Sequence, residues 1–198
     1  MNVSVFVLRK SISLLSVSVN NSITLLQTLT TSFDCYSISP LDDDLLLVNT
    51  YGHERPVHTI DVHGKEGHIQ HKTLPDKIYE KRKGACAYIP STKTIVFSDR
   101  TQDTLYMCDT TSGEGRVIKS DNIANARCIC AGPNGSTFVC SVDTNSIVQL
   151  SPSGDLLISH DVGIRRPRAV SVSKDGTRMA VSNGLSRQKV LKLFRLEC

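Results

Sequence analysis

The 198-residue sequence predicts an all-β fold, a β-propeller of four-stranded antiparallel blades, and three observations carry that expectation. The first is the stretch ARCICAGPNGSTFVCSVDTNSIVQLSPSGDLLISH, from Ala126 to His160, which divides into four short apolar runs joined by three tight turns. Asn134-Gly135 closes the first hairpin because both residue types accept positive φ. Asp143-Thr144-Asn145 closes the second, and Ser151-Pro152-Ser153-Gly154 the third. The second observation is recurrence of this plan around Pro40, Pro90 and Lys174. The third-turn glycines Gly64, Gly113 and Gly154 stand 49 and 41 residues apart, close to the roughly 40 to 50 residue period of a propeller blade. The third is the grading of side chains by position. First strands (CYSIS, ACAYI, RCICA, RAVSV) are small, as suits sheets converging on an axis, whereas second strands (LLLVNT, TIVFSD, TFVCSV, MAVSN) carry the bulk that fills the space between sheets.

Taken in order, residues 1–31 contain VSVFVL, ISLLSVSV and SITLLQTL, with Arg9-Lys10 and Asn20-Asn21 as turns. No inner strand precedes them, so they read either as the outer strands of a partial blade or as strands that close a ring. Residues 32–198 hold the blades, at about 34–75, 84–120, 126–161 and 167–198. The longer first interval is expected to lie in the linker from Thr73 to Gly84, where extra residues cost little. Third strands (VHTIDV, TLYMCD, SIVQLS, KVLKLF) alternate, as expected for strands meeting water toward the rim. The last copy stops after its third strand, and Met1 to Leu8 would serve as its missing edge. Six blades at about 40 residues each would need roughly 240, so the chain also fits part of a six-bladed ring.

The inner-strand, Pro-x-Asn-Gly or Lys-Asp-Gly turn, Val-rich second strand and third-turn glycine together resemble NHL-type repeats. SFDCYSISPLDDDLLLVNT, CDTTSGEGRVIKS, CAGPNGSTFVC and SVSKDGTRMAVSN are similar to the C-terminal propeller of tripartite-motif (TRIM) proteins of the invertebrate, particularly molluscan, type, over about Thr31 to Cys198. The resemblance implies a module that recruits protein or RNA and sits beside RING, B-box and coiled-coil segments that confer ubiquitin ligase activity. No Cys/His ladder for zinc and no heptad run of that kind stands in this sequence, so the chain itself is expected not to be an enzyme. A truncated, non-functional remnant of a longer ligase is a further reading.

Composition sets limits. With 39% hydrophobic and 21% charged residues the chain is an ordinary globular one, which excludes intrinsic disorder. It has no apolar run long enough for a membrane helix. The first residues, MNVSVFVLRKS, place their basic pair after the apolar run, the reverse of a secretory signal. Seven cysteines, an odd number mostly on strands, fit free buried thiols in a reducing compartment, hence a cytoplasmic location. Cys128 and Cys130 share one strand face, unlike a turn-borne zinc knuckle. His58, His63, His68 and His71 alternate faces and read as an exposed rim, and Asp42-Asp43-Asp44 reads as a solvated turn without the glycine of a calcium loop. No metal and no cofactor is expected.

In a propeller the inter-blade linkers and the loops joining second to third strands emerge on one face. The candidate partner-binding residues there are Tyr51, Arg55, Tyr79, Lys81, Arg82, Lys83, Arg100, Arg165, Arg166, Arg168, Arg187 and Lys189. Their bland reading is solvated surface. The functional reading is a docking face for a protein partner. Two rivals stand beside it: single-stranded RNA held by phosphate contacts and stacking on Tyr51 and Tyr79, and, by fold analogy alone, a calcium-dependent lactonase. No G-x-S-x-G, H-E-x-x-H or P-loop pattern supports catalysis. Open sheet edges would allow self-association.

Overall fold

The computed structural model describes residues 2–20, 22–51, 57–69, 84–184 and 189–196, with backbone alone for 2–8 and 51. Among them, five antiparallel sheets are each a simple meander. The first holds β1 (Asn2–Leu8), β2 (Ser11–Val17) and β3 (Ile23–Thr30). The second holds β4 (Asp34–Pro40), β5 (Leu45–Tyr51), β6 (Val57–Asp61) and β7 (Glu66–His68). The third is β8 (Cys86–Ile89), β9 (Thr94–Asp99), β10 (Thr104–Asp109) and β11 (Gly115–Lys119). The fourth is β12 (Ala126–Ala131), β13 (Thr137–Ser141), β14 (Ser146–Leu150) and β15 (Leu156–Asp161), and the fifth is β16 (Pro167–Val172), β17 (Arg178–Asn183) and β18 (Leu191–Arg195). The chain is a β-propeller of four blades preceded by a partial N-terminal sheet.

Turn chemistry fixes the meanders. Asn134 and Gly135 both have positive φ (54° and 75°), as do Asn145 (57°) and the third-turn glycines Gly64, Gly113 and Gly154 (88°, 72° and 85°), conformations that a β-carbon disfavours except in Asn or Asp.

Inner strands touch in chain order: β4 with β8, β8 with β12, β12 with β16. β1 packs on β4 in the way that β9 packs on β12 and β13 on β16, so β1 occupies a second-strand position and the first sheet carries no inner strand. β1 pairs with β2 from Asn2↔Val17 to Leu8↔Ser11. It therefore belongs to the first sheet and does not supply the edge beside β18.

Each pair of successive sheets encloses an apolar core. Ile12, Leu14 and Phe33 meet Val48 and Ile60; Leu47 and Val57 meet Ile95, Phe97 and Tyr106. Val96, Leu105 and Met107 meet Ile129, Val139, Val148 and Leu150, and Phe138, Cys140 and Ile147 meet Val170, Met179 and Val181. This packing corrects the rim expectation for third strands: β10 is buried from Thr104 to Cys108 because both faces of a middle sheet are covered, and it is the fourth strand β15 that is exposed throughout. It also corrects the histidine reading. His58 is buried, its ring 4.4 Å from that of Phe33, while His63 and His68 are exposed; His71 lies outside the described residues. Among the described residues, six cysteines are free thiols. Burial pushes Cys86 and Cys130 up to about 12, so they pack as small apolar groups.

Four carboxylates at the first and third turns accept hydrogen bonds from their own turn. Asp61 accepts from the amides of Lys65 and His63, Asp109 from those of Ser112 and Thr111, Asp155 from Ser153 Oγ, and Asp175 from Ser173 Oγ and the Thr177 amide. These hydrogen bonds hold all four below the ordinary carboxylate range, Asp175 at about 2.

Two outcomes follow. Phe97, 1% exposed, should cost about 3–5 kcal/mol on replacement by Ala, read as a lower urea midpoint; an unchanged midpoint contradicts the inter-sheet core. A carboxylate with a depressed folded-state pKa contributes stability that is present above its unfolded value, near 4, and is lost as pH falls through the folded one. The melting temperature should thus be level from about pH 7 to 5 and fall between about pH 4 and 2, and a rise on acidification would contradict the turn geometry.

Candidate binding face

Among the described residues, the linkers ending at Asn125 and Arg166 lie against the second turns at 100–103 and 143–145, and side chains lock them together. Asn125, at positive φ (57°), ends the linker from the third sheet to the fourth. Its amide donates to Asp103 Oδ1 (2.6 Å) in the second turn of the third sheet. Its side chain accepts from Arg100 Nε (2.6 Å) and donates to both oxygens of Asp143 (3.1 Å each) in the second turn of the fourth. One linker on, Arg166 stands in the same role, with φ 54° and its amide donating to Asn145 Oδ1 (2.8 Å). Arg166 Nη2 lies 3.6 Å from Asp143 Oδ1, both side chains about half exposed, a pair that contributes little by itself. Asp143 thereby joins the two linkers. Two bonds to linker carbonyls complete the lock, from the Asp143 amide to Ala124 O (3.3 Å) and from Thr144 Oγ1 to Asn122 O (3.4 Å).

Beneath this layer, Ser98 Oγ accepts from the Ala85 amide (2.8 Å) and donates to Ala126 O (3.1 Å), tying two blades at a buried point. In the fifth sheet Asn183 donates to Arg165 O (3.4 Å) and accepts from the Val190 amide (2.9 Å).

The sequence-selected residues divide accordingly. Arg100 and Arg166 hold the loops, so part of their hydrogen-bonding capacity faces inward. Arg165 and Lys189 are exposed. Arg168, second residue of β16, is half-buried against Gly184, where a β-carbon would lie 2.7 Å from Arg168 Cδ. Tyr51 ends β5 and only its backbone is described; Arg55, Tyr79, Lys81, Arg82, Lys83 and Arg187 lie outside the described residues.

Sequence reasoning passed over Arg127, second residue of β12. The signal was present, since RCICA and RAVSV both open with arginine, 41 residues apart. Arg127, Arg166 and Arg168 each bury Nε without a hydrogen-bond partner, a situation that costs about 1–3 kcal/mol per donor. Among the described residues no group of three or more His, Cys, Asp or Glu is placed to hold a metal, and no helix is long and apolar enough to cross a membrane.

No family model and no curated protein matches the sequence. Solved structures do resemble the fold. The chain is similar to a chain of Kuenenia stuttgartiensis hydrazine synthase (TM-score 0.63, 14% identity), covering 81% of itself and 46% of that chain. It is similar to a chain of a nidogen/laminin complex (TM-score 0.68, 14% identity, 89% and 68%) and to a putative 6-phosphogluconolactonase from Bacteroides uniformis (TM-score 0.62, 16% identity, 98% and 63%). The chain spans about half the length of the first and about two thirds of the others. At these identities the likeness shows the β-propeller fold alone.

Asn125→Ala should lower stability by about 1–3 kcal/mol, from lost hydrogen bonds and positive φ together, whereas Asn125→Gly, free of the φ strain, should lose less. Equal losses in denaturant titrations would contradict the conformational half of this account.

Proposed function

We propose that this propeller is a non-catalytic interaction module that recruits a protein partner through its linker face, as the resemblance to TRIM/NHL propellers implies. The supporting observation is the lock of Asp103, Asn125, Asp143, Asn145 and Arg166, which holds loops of three successive blades in one arrangement. A face fixed before binding loses little conformational entropy when a partner docks. Arg165 and Lys189 stand exposed at its edge as polar contacts, and the free thiols fit the reducing cytoplasm. The lactonase reading would need a metal-holding carboxylate set, and the described residues offer it none.

A photo-crosslinking residue placed at Arg165 or Lys189 should capture partner protein in cell extract, and one placed at Lys174 or Glu114, on the opposite turns, should not. Arg165→Glu with Lys189→Glu should abolish capture at an unchanged melting temperature. Crosslinks confined to the opposite turns would overturn the assignment.

A further inference from the structure

We infer that Cys128 and Cys140 are a redox modification site, a pair of thiols that a hydroperoxide oxidises to a disulfide between β12 and β13. The backbone brings them together. In the register of these strands Ala126 faces Ser141 and Ile129 faces Val139, so the bulge between the two pairs sets Cys128 opposite Cys140. Residues opposite one another in an antiparallel pair have Cα atoms about 4.5–5.5 Å apart, inside the range of about 4.4–6.8 Å that a disulfide spans. Both side chains enter the apolar cluster between the fourth and fifth sheets, whereas Ile129 and Val139 enter the one between the third and fourth. The Cys140 thiol donates a hydrogen bond to Cys128 Sγ.

The surroundings of the two sulfurs assign their roles. Cys128 Sγ also accepts from the Val170 amide of β16 at 3.5 Å. The bond from Cys140, with that from Val170, outweighs burial and holds the Cys128 thiol below its ordinary value. Burial pushes Cys86 and Cys130 up to about 12 and raises Cys35 and Cys108. Cys140 is wholly buried, and its bond to Cys128 together with burial raises it, so it stays protonated and donating. Cys128 is only partly buried. The thiol that ionises most readily and is open to a small oxidant is the one oxidised first.

The chemistry closes on these two residues and one hydroperoxide. Cys128 Sγ attacks the terminal peroxide oxygen and the O–O bond breaks. The thiol proton leaves with the other oxygen as an alcohol, or as water from hydrogen peroxide. Cys140 Sγ then attacks the Cys128 sulfenic sulfur, the S–O bond breaks, and the hydroxyl departs with the Cys140 proton as water. The two sulfurs together give up two electrons, and the peroxide takes them. Cys130 is not so placed, since it faces Phe138. Oxidation also removes the proton that Cys128 donates to Val170 O (3.5 Å), a bond joining the inner strands of two blades.

The test treats the whole folded chain with hydrogen peroxide, alkylates the remaining thiols and maps every cysteine by mass spectrometry. Chymotryptic cleavage after Phe138 parts Cys128 from Cys140, so their disulfide appears as two linked peptides that dithiothreitol separates. The linked pair should form at least about tenfold faster than Cys86 or Cys130 is oxidised. Cys130→Ser should leave it intact, which identifies Cys128 as the linked residue. Cys140→Ser should leave Cys128 as a sulfenic acid captured by dimedone. A disulfide joining Cys128 or Cys140 to a different cysteine, or thiols that persist at both while other cysteines oxidise, overturns the site. So does Cys128 sulfenic acid that accumulates with Cys140 present. The map of the unsubstituted chain decides the matter even where Cys140→Ser does not fold.

Discussion

Covering both faces of every middle sheet is the constraint on which this structure depends. A four-stranded meander with Val, Ile and Phe on alternate positions of both faces has nowhere to put them in water. The third sheet shows the solution, with Ile95, Phe97 and Tyr106 packed toward the second sheet and Val96, Leu105 and Met107 toward the fourth. Each residue buried this way contributes about 1.5–3 kcal/mol. Ser98 enters such an interface with a partner on each side, Ala85 and Ala126.

Stacking sheets in this order brings linkers and second turns to the same end. A linker must pass from the outer strand of one blade to the inner strand of the next, and its last residue adopts positive φ to make that corner, as Asn125 and Arg166 do. The amide turned out at the corner finds an Asp or Asn side chain in an adjacent second turn. Fold and face are thus one construction: the bonds that complete the blade junctions also fix the surface offered to a partner. Within that layer Arg127, Arg166 and Arg168 each leave a buried Nε without a hydrogen-bond partner.

Much of this was legible in the sequence. Asn134-Gly135, Asp143-Thr144-Asn145 and Ser151–Gly154 marked the turns because positive φ is chemically restricted, and the glycine period marked the blades. Burial on both faces was harder to read, since β10 alternates in residue type yet is covered on each side by a different neighbour; period two reports strand geometry and says nothing of how many faces are packed. His58 was misread for the same reason, its partner Phe33 coming from a linker remote in sequence. At the face, the charge of Arg100 and Arg166 was visible but the hydrogen bond of the one to Asn125 and the ion pair of the other with Asp143 were not, because those depend on the fold bringing Asn125 and Asp143 alongside. Arg127 was legible only by aligning the inner strands, since RCICA and RAVSV both open with arginine.

Residue-level amide hydrogen exchange tests the central claim that the blade junctions fix the linker face. The account predicts that the amides of Asn125 and Arg166, which donate to Asp103 and Asn145, exchange about as slowly as those of the inner strands β12 and β16. Fast exchange at both, with the inner strands protected, would show loops that move independently of the blades and would contradict it.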